Sequence, residues 1–282
     1  MDKKLTIPKI QKMKATGEKI AMVTCYDYSF ARLIDGTGVE IVLVGDSLGM
    51  VIQGYKSTLP VTLNDMVYHT AAVSRGLTRP VLVADMPFMS YQAEFGAAIK
   101  AAGQLLKKGT AQSVKVEGGE EVTELVYRMA RVGIPVMGHI GLEPQKIHRY
   151  GGFKIQGKKP EEEKHLVHDA KALQEAGCWS IVLEGIPAEA AERVTRALKI
   201  PTIGIASGPH CDGQVLVIYD LLGMNLDFRP RFVKRYAEAG QTVIDSVSTY
   251  VREVKDLKFP ADQHTFHRDA SVYSARGKKP KG

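Results

Sequence analysis

Short apolar runs rich in Val and Ile alternate along the chain with longer segments of helical pattern. The runs are largely uninterrupted, which is typical of strands buried on both faces of a parallel sheet. This order predicts an α/β fold, and eight strands would close it into a (β/α)₈ TIM barrel. The predicted strands are 20–25, 40–45, 80–84, 113–117, 134–138, 180–184, 200–205 and an eighth candidate at 214–219, and the predicted helices between them include 93–108, 120–132, 161–176 and 187–198.

The composition shifts only near the carboxyl end of the chain. We therefore expect a single barrel domain over 1–258, with a capping helix in 1–19 and a helical extension near 230–256. The polar, basic segment 259–282 is predicted to be disordered. A basic, glycine-rich stretch at 149–154, inside a long connection, is a candidate lid over a site.

Composition and charge narrow the class of protein. Of 282 residues 44% are hydrophobic, enough for a large core, and 38 Lys and Arg against 31 Asp and Glu give a net charge of +7. Part of this excess lies in the basic tail, which favours anionic metabolites over nucleic acid as partners. Three scattered cysteines suit a reducing cytoplasm better than disulfides or zinc, and no signal or membrane-spanning run is expected.

Ionisable residues fall at the carboxyl ends of the predicted strands, where (β/α)₈ barrels carry their chemistry. Because buried carboxylates that converge require a cation, we expect a hard ion such as Mg²⁺ between Asp46, Asp85 and Glu117. Lys115 precedes Glu117 by two residues and so points to the same side of its strand. The residues at these strand ends are Asp46, Asp85, Lys115, Glu117, His139 and Glu184.

Each of these residues also has an ordinary structural explanation. Asp46 and Asp85 could cap helices or turns. Lys115 and Glu117 could form a simple ion pair, and His139 could be a hydrogen-bonded core histidine. Their joint position at one barrel mouth favours a functional site. Glycine-rich nucleotide-binding motifs do not occur in the sequence.

Eight sequence motifs between about Ile20 and Gly240 resemble the ketopantoate hydroxymethyltransferase family. Motifs this long, in this order, are highly specific. They are TCYDYSFA (24–31), GDSLGMVIQGYKSTLPVTL (45–63), ADMPF (84–88), VKVEGG (114–119), GHIGLEPQ (138–145), GGFKIQG (151–157), VLEGIPAE (182–189) and CDGQVLV (211–217).

The resemblance implies a barrel of the phosphoenolpyruvate/pyruvate-like group with a bound Mg²⁺. Its ligands would be Asp46, Asp85 and Glu117, the last two partly through water. Asp46 and Asp85 would also contribute to the substrate site, where the metal, Ser47 and Lys115 hold a 2-oxo acid.

The resemblance also implies a reaction. Glu184 would remove the proton next to the carbonyl of 3-methyl-2-oxobutanoate, with Lys115 at the enolate oxygen and His139 as a further pocket residue. The one-carbon donor would be 5,10-methylenetetrahydrofolate and the product 2-dehydropantoate, in the first step towards pantothenate and coenzyme A. Members of the family commonly assemble as homodecamers.

The chain departs from the family pattern at a few positions, none of them a proposed ligand. Ala206-Ser207 stands where Gly-Ala is usual, Met89 where Gly is common, and Glu143 and Lys146 where Thr and Ser are usual. Two rival functions remain: a related Mg²⁺-dependent barrel that cleaves or rearranges 2-oxo or phosphonate acids, and a barrel that binds an oxo acid or nucleic acid without catalysis.

Overall fold

The computed structural model describes residues 4–227 and 229–268. Eight parallel strands within these ranges form a closed barrel in sequence order, with β8 pairing to β1. This confirms the predicted (β/α)₈ fold. The strands are β1 Ile20–Thr24, β2 Ile41–Val44, β3 Val81–Asp85, β4 Ser113–Glu117, β5 Val136–Gly141, β6 Ser180–Glu184, β7 Thr202–Ile205 and β8 Gly213–Leu216.

Helices alternate with these strands and cover the outside of the barrel. The predicted helical segments agree with α5, α6, α8 and α9 to within three residues at each end. None of the helices in the described ranges is long and apolar enough to span a membrane. The helices are α1 Ile7–Thr16, α2 Tyr28–Ile34, α3 Leu48–Val51, α4 Leu63–Ser74, α5 Phe95–Lys107, α6 Thr123–Arg131, α7 Ile147–Tyr150, α8 Pro160–Ala176, α9 Ala188–Ala197, α10 Ile218–Leu221 and α11 Ala239–Lys255, with 3₁₀ turns at Glu120–Val122, Pro144–Lys146 and Asp262–His264.

Side chains on the apolar strands alternate between two clusters. On β2, Ile41 and Leu43 belong to a cluster inside the barrel, whereas Val42 and Val44 pack in the larger cluster between barrel and helices. This alternation follows from the two-residue repeat of a strand. It explains why the runs are apolar throughout.

Helix α1 lies across the amino-terminal end of the barrel. Its Ile10 and Met13 pack with the interior cluster. Lys14 Nζ lies 2.7 Å from Asp212 Oδ2 and also donates to the Thr195 carbonyl at 3.0 Å. The bottom of the barrel is therefore filled with apolar side chains, and the polar interior positions lie at the opposite end.

Strands β5 and β8 differ most from those predicted. Strand β5 begins after Pro135, which has no N–H for a ladder, and continues to Gly141, which is in register with Glu184. Strand β8 ends at Leu216 because the chain turns into α10, where Ile218 N donates to Thr24 Oγ1 at 3.0 Å. An apolar run alone does not distinguish the end of a strand from the start of a helix.

The carboxyl-terminal part also differs in detail. The only part of the predicted extension that is helical is α11, because residues 229–238 form turns and irregular structure before it. Of the predicted disordered tail, residues 269–282 lie outside the described ranges, and the part before them includes the 3₁₀ turn at Asp262–His264.

Two positions that depart from the family pattern have a left-handed backbone. Ala206, after β7, has φ of 53°, and Met89, after β3, has φ of 64°. A Cβ makes this region unfavourable, whereas glycine enters it freely. Both substitutions therefore place strain on loops at the carboxyl end of the barrel.

We expect Ala206→Gly to raise the free energy of unfolding by about 0.5–1 kcal/mol, because relief of the left-handed strain exceeds the added entropy of the unfolded chain. Ala191→Gly is the matched control: Ala191 is buried in α9, so the same change should lower stability by about 1 kcal/mol or more. Denaturant unfolding followed by circular dichroism measures both. An Ala206→Gly protein no more stable than the parent would contradict the assignment of strain.

Candidate functional site

The strand register brings the predicted polar residues together. Asp85 pairs with Lys115 across β3 and β4, and Glu117 pairs with His139 across β4 and β5. Side chains of paired residues on neighbouring strands point to the same side of the sheet. Asp85 continues the interior row of Val81 and Val83, so the charged residues occupy the upper levels of the barrel interior above an apolar floor.

The Lys115 ammonium group lies at the centre of the cluster. Its Nζ is 2.8 Å from Asp85 Oδ1, 3.1 Å from His139 Nδ1 and 3.9 Å from Glu117 Oε1. All four side chains are buried. Asp85 and Lys115 therefore form a close, buried ion pair.

His139 connects this centre to Glu184. Its Nδ1 lies 3.5 Å from Glu117 Oε1, and its Nε2 lies 3.2 Å from Glu184 Oε2. The Glu184 side chain is 21% exposed, whereas that of His139 is 3% exposed. The series therefore runs from a buried carboxylate through an imidazole to a carboxylate that solvent and ligands can reach.

Asp46 and Ser47 approach the cluster from the loop after β2. The Asp46 backbone N–H donates to Asp85 Oδ2 at 2.9 Å. Ser47 Oγ and Tyr26 Oη lie 2.8 Å apart, and Ser47 makes no side-chain capping bond to α3. Gly45 allows this close approach, because a Cβ there would lie 2.7 Å from Ser47 Oγ. The structure thus brings all seven predicted site residues to one end of the barrel.

The pKa values reflect charges crowded away from water. Burial, with Asp85 and Glu117 nearby, raises the pKa of Asp46 well above its usual range. Burial also raises the pKa of Asp85, although Lys115 opposes this. Burial and the charge of Lys115 would lower the pKa of His139, but the carboxylates of Glu117 and Glu184 outweigh both and raise the value to about 9.

The donor set suits a hard divalent cation. When ionised, the four carboxylates of Asp46, Asp85, Glu117 and Glu184 exceed the two cations, Lys115 and His139, by two negative charges. Carboxylate oxygens are the ligands that Mg²⁺ prefers. Across residues 4–227 and 229–268, no three His, Cys, Asp or Glu side chains form a ready-made metal cage.

Gln145 and Tyr91 also belong to the site but were not predicted from the sequence. Both are buried, and their side chains are hydrogen-bonded to each other at 3.0 Å. Gln145 is the last residue of the motif GHIGLEPQ, and this is the one sequence feature that could have pointed to it as a site residue. An uncharged amide in a turn carries no charge or periodicity to distinguish it.

A second charged group adjoins the site on the turn after β5. Lys146 Nζ lies 2.6 Å from both Glu143 Oε2 and Glu121 Oε1, and Tyr150 Oη donates to Glu143 Oε1 at 3.1 Å. Burial raises the pKa of Glu143, and Lys146 opposes the rise. Glu143 and Lys146 therefore form a complementary pair, and both depart from the family pattern.

We expect Lys146→Ser to destabilise the protein by about 1–2 kcal/mol, because it leaves the buried Glu143 carboxylate without its cation. Adding Glu143→Thr should recover at least half of this loss, since the uncompensated charge is then gone. The control is Lys164→Ser, which breaks an exposed pair with Glu161 and should change stability by less than about 0.5 kcal/mol. Equal stabilities of the Lys146→Ser single and double variants, measured by denaturant unfolding, would refute the coupling.

The fold and the site define a class: a (β/α)₈ barrel with a cluster of carboxylates, a lysine and a histidine at the carboxyl ends of its strands, where barrel enzymes carry their active sites. The family model for ketopantoate hydroxymethyltransferase matches residues 4–262. The chain therefore belongs to the ketopantoate hydroxymethyltransferase family and is a hydroxymethyltransferase.

A curated relative supports this assignment. The 3-methyl-2-oxobutanoate hydroxymethyltransferase of Anaeromyxobacter sp. (strain Fw109-5) is 56% identical over 269 residues, covering 94% of this chain and 88% of the relative. A lyase or mutase function fits this match less well.

Solved structures show the same fold at low identity. A phosphonopyruvate hydrolase in complex with oxalate and Mg²⁺ matches with a TM-score of 0.60 and 10% identity, covering 92% of this chain and 93% of that one. A 2,3-dimethylmalate lyase of the PEP mutase/isocitrate lyase superfamily matches with a TM-score of 0.56 and 13% identity, covering 95% and 93%. These likenesses establish the barrel type alone.

Proposed function

We propose that the chain transfers the one-carbon unit of 5,10-methylenetetrahydrofolate to 3-methyl-2-oxobutanoate. Water supplies the hydroxyl group, and the products are 2-dehydropantoate and tetrahydrofolate. Membership of the family and the name of its 56% identical relative support the substrate. The observation that carries the proposal is the 3.2 Å separation of His139 Nε2 and Glu184 Oε2, which sets a partly exposed carboxylate beside a buried imidazole.

Glu184 is the general base in this proposal. It is the accessible carboxylate of the cluster, and its Oε2 lies 3.2 Å from His139 Nε2, which holds it in place. From this position it removes the proton from the carbon next to the keto group. Lys115 stabilises the negative charge that then develops on the keto oxygen, because its ammonium group is held in a buried, low-dielectric site.

Asp46, Asp85 and Glu117 would hold Mg²⁺, the last two partly through water, as the resemblance implies. When bound, the ion would polarise the carboxylate and keto oxygens of the oxo acid and make the adjacent C–H more acidic. Lys115 and Ser47, with Asp46 and Asp85, orient the oxo acid. The pKa of Asp46, raised by burial and by the neighbouring Asp85 and Glu117 carboxylates, supports a cation at this place.

We also propose a cytoplasmic homodecamer. The three cysteines are buried free thiols, which suits a reducing compartment. Helix α11 exposes a row of apolar side chains that would gain from burial between copies of the chain. These side chains are Val243, Ile244, Val247, Tyr250, Val251 and Val254.

The proposed reaction is tested with the purified chain, Mg²⁺, 3-methyl-2-oxobutanoate and 5,10-methylenetetrahydrofolate, with products identified by mass spectrometry. We expect 2-dehydropantoate to form only when the folate is present. Cleavage of an oxo acid without folate would favour the lyase alternative, and binding without turnover would favour a non-catalytic barrel.

Glu184→Gln should lower the turnover number for transfer by at least about 100-fold, because an amide cannot accept the proton. Binding of the oxo acid, measured by calorimetry, should be retained, since the substituted side chain has the same shape. Glu189→Gln, an exposed position on α9, is the control and should leave turnover unchanged. Near-normal turnover in the Glu184→Gln enzyme would exclude Glu184 as the base.

Asp85→Ala should weaken Mg²⁺ binding by about tenfold or more, because it removes a carboxylate from the proposed ligand set. Calorimetric titration of the metal measures the change without any substrate. Glu184→Gln serves as the comparison, since it should bind Mg²⁺ nearly as the parent does. A metal titration unaltered by Asp85→Ala would refute the ligand set.

A further inference from the structure

The Gln145 side chain makes several hydrogen bonds beside the charged cluster. It lies in the 3₁₀ turn Pro144–Lys146 after β5 and is buried. A side-chain amide has two donor hydrogens and two acceptor lone pairs, and here both hydrogens are used. Nε2 donates to Asp46 Oδ2 and to the Met86 carbonyl, each at 2.9 Å, and Oε1 accepts from Gln92 Nε2 at 2.9 Å. Oε1 also lies 3.0 Å from Tyr91 Oη, whose one hydrogen it shares with the Glu117 carbonyl oxygen at the same distance.

The neighbours of Gln145 determine which way the amide points. The Met86 carbonyl can only accept a hydrogen bond, so it must face the NH₂ group. The Gln92 amide faces the other end as a donor. A rotated amide, or a carboxylate in its place, would set an acceptor 2.9 Å from Asp46 Oδ2. The site therefore needs an amide in one orientation.

Gln145 contacts two of the three proposed metal ligands. Its side chain holds Asp46 Oδ2, and its backbone N–H donates to Glu117 Oε2 at 3.0 Å. The third carboxylate is held in the same manner, because the Asp46 N–H donates to Asp85 Oδ2. Each carboxylate thus has one oxygen fixed by an N–H group, and this fixes the direction of its second oxygen.

The contacts of Gln145 also join four consecutive barrel segments. Asp46 follows β2, Met86 and Tyr91 follow β3, Glu117 ends β4, and Gln145 itself follows β5. Loops at the mouth of a barrel move independently unless they are connected by such contacts. One amide therefore connects the loops from which the carboxylates extend.

We propose that Gln145 is a positioning residue that orients the Asp46 and Glu117 carboxylates for a divalent cation. This inference rests on the proposed function, because it assumes the Mg²⁺ site. Hydrogen bonds that orient metal ligands commonly contribute about 10- to 100-fold in metal affinity. The backbone N–H bond to Glu117 survives substitution of the side chain, so the loss should arise mainly through Asp46.

The test uses Gln145→Met, which keeps the length and approximate volume of the side chain and removes the amide. Calorimetric titration of the full-length protein with Mg²⁺ alone should show affinity weakened by about 10- to 100-fold. Turnover at saturating Mg²⁺ should fall much less than the apparent affinity for Mg²⁺ does. If Gln145 had a merely structural role, turnover at saturating Mg²⁺ and the affinity for Mg²⁺ would fall together.

Gln92→Ala is the matched control, because it removes one hydrogen bond to the same amide on the side away from the carboxylates. It should weaken Mg²⁺ binding by less than about threefold. If Gln145→Met does not fold, Gln145→Asn retains the amide but shortens its reach by one methylene, and it should also weaken binding by at least about fivefold.

Three results would overturn the inference. If the Gln145→Met and Gln145→Asn proteins bind Mg²⁺ like the parent, Gln145 is excluded as a positioning residue, while the proposed function remains intact. A larger effect of Gln92→Ala than of Gln145→Met would assign the role to the loop instead. A parent protein that binds no Mg²⁺ would overturn both this inference and the metal in the proposed function.

Discussion

Three carboxylates buried at one end of an apolar barrel form the constraint on which the rest of the site depends. Asp46, Asp85 and Glu117 are each at most 4% exposed, and ionised groups so far from water are costly unless opposite charge lies close by. Lys115 supplies part of that charge. Under the proposed function, a bound cation balances the remaining negative charge and an anionic substrate shares that cation.

The backbone makes this arrangement possible without disturbing the core. The two-residue repeat of each strand sends alternate side chains inward, and the strand register sets Asp85 beside Lys115 and Glu117 beside His139. Levels nearer the amino-terminal end are apolar and are closed by α1. The fold therefore separates stability, at the closed end and in the outer helical layer, from chemistry at the open end.

Much of this arrangement could be predicted from residue order, because strand-end positions in a barrel converge whatever the details of packing. The prediction that the Lys115 and Glu117 side chains point to the same side of β4 followed from strand geometry alone. The contacts of Gln145 could not be predicted, because they join loops that are distant in sequence. The pairing of Glu143 with Lys146 through a buried carboxylate likewise depends on a turn whose shape no local pattern specifies. Strand ends at β5 and β8 depended on neighbouring strands and helices.

The central claim is that Glu184, at the carboxyl end of the barrel, removes a proton from the carbon next to a keto group. NMR of 3-methyl-2-oxobutanoate in D₂O, with the purified protein and Mg²⁺ but no folate, tests it most directly. The account predicts that the tertiary C–H signal disappears at a rate that depends on protein and metal, while the methyl signals remain and collapse to singlets. A tertiary C–H that exchanges no faster than in buffer with Mg²⁺ alone would contradict the account.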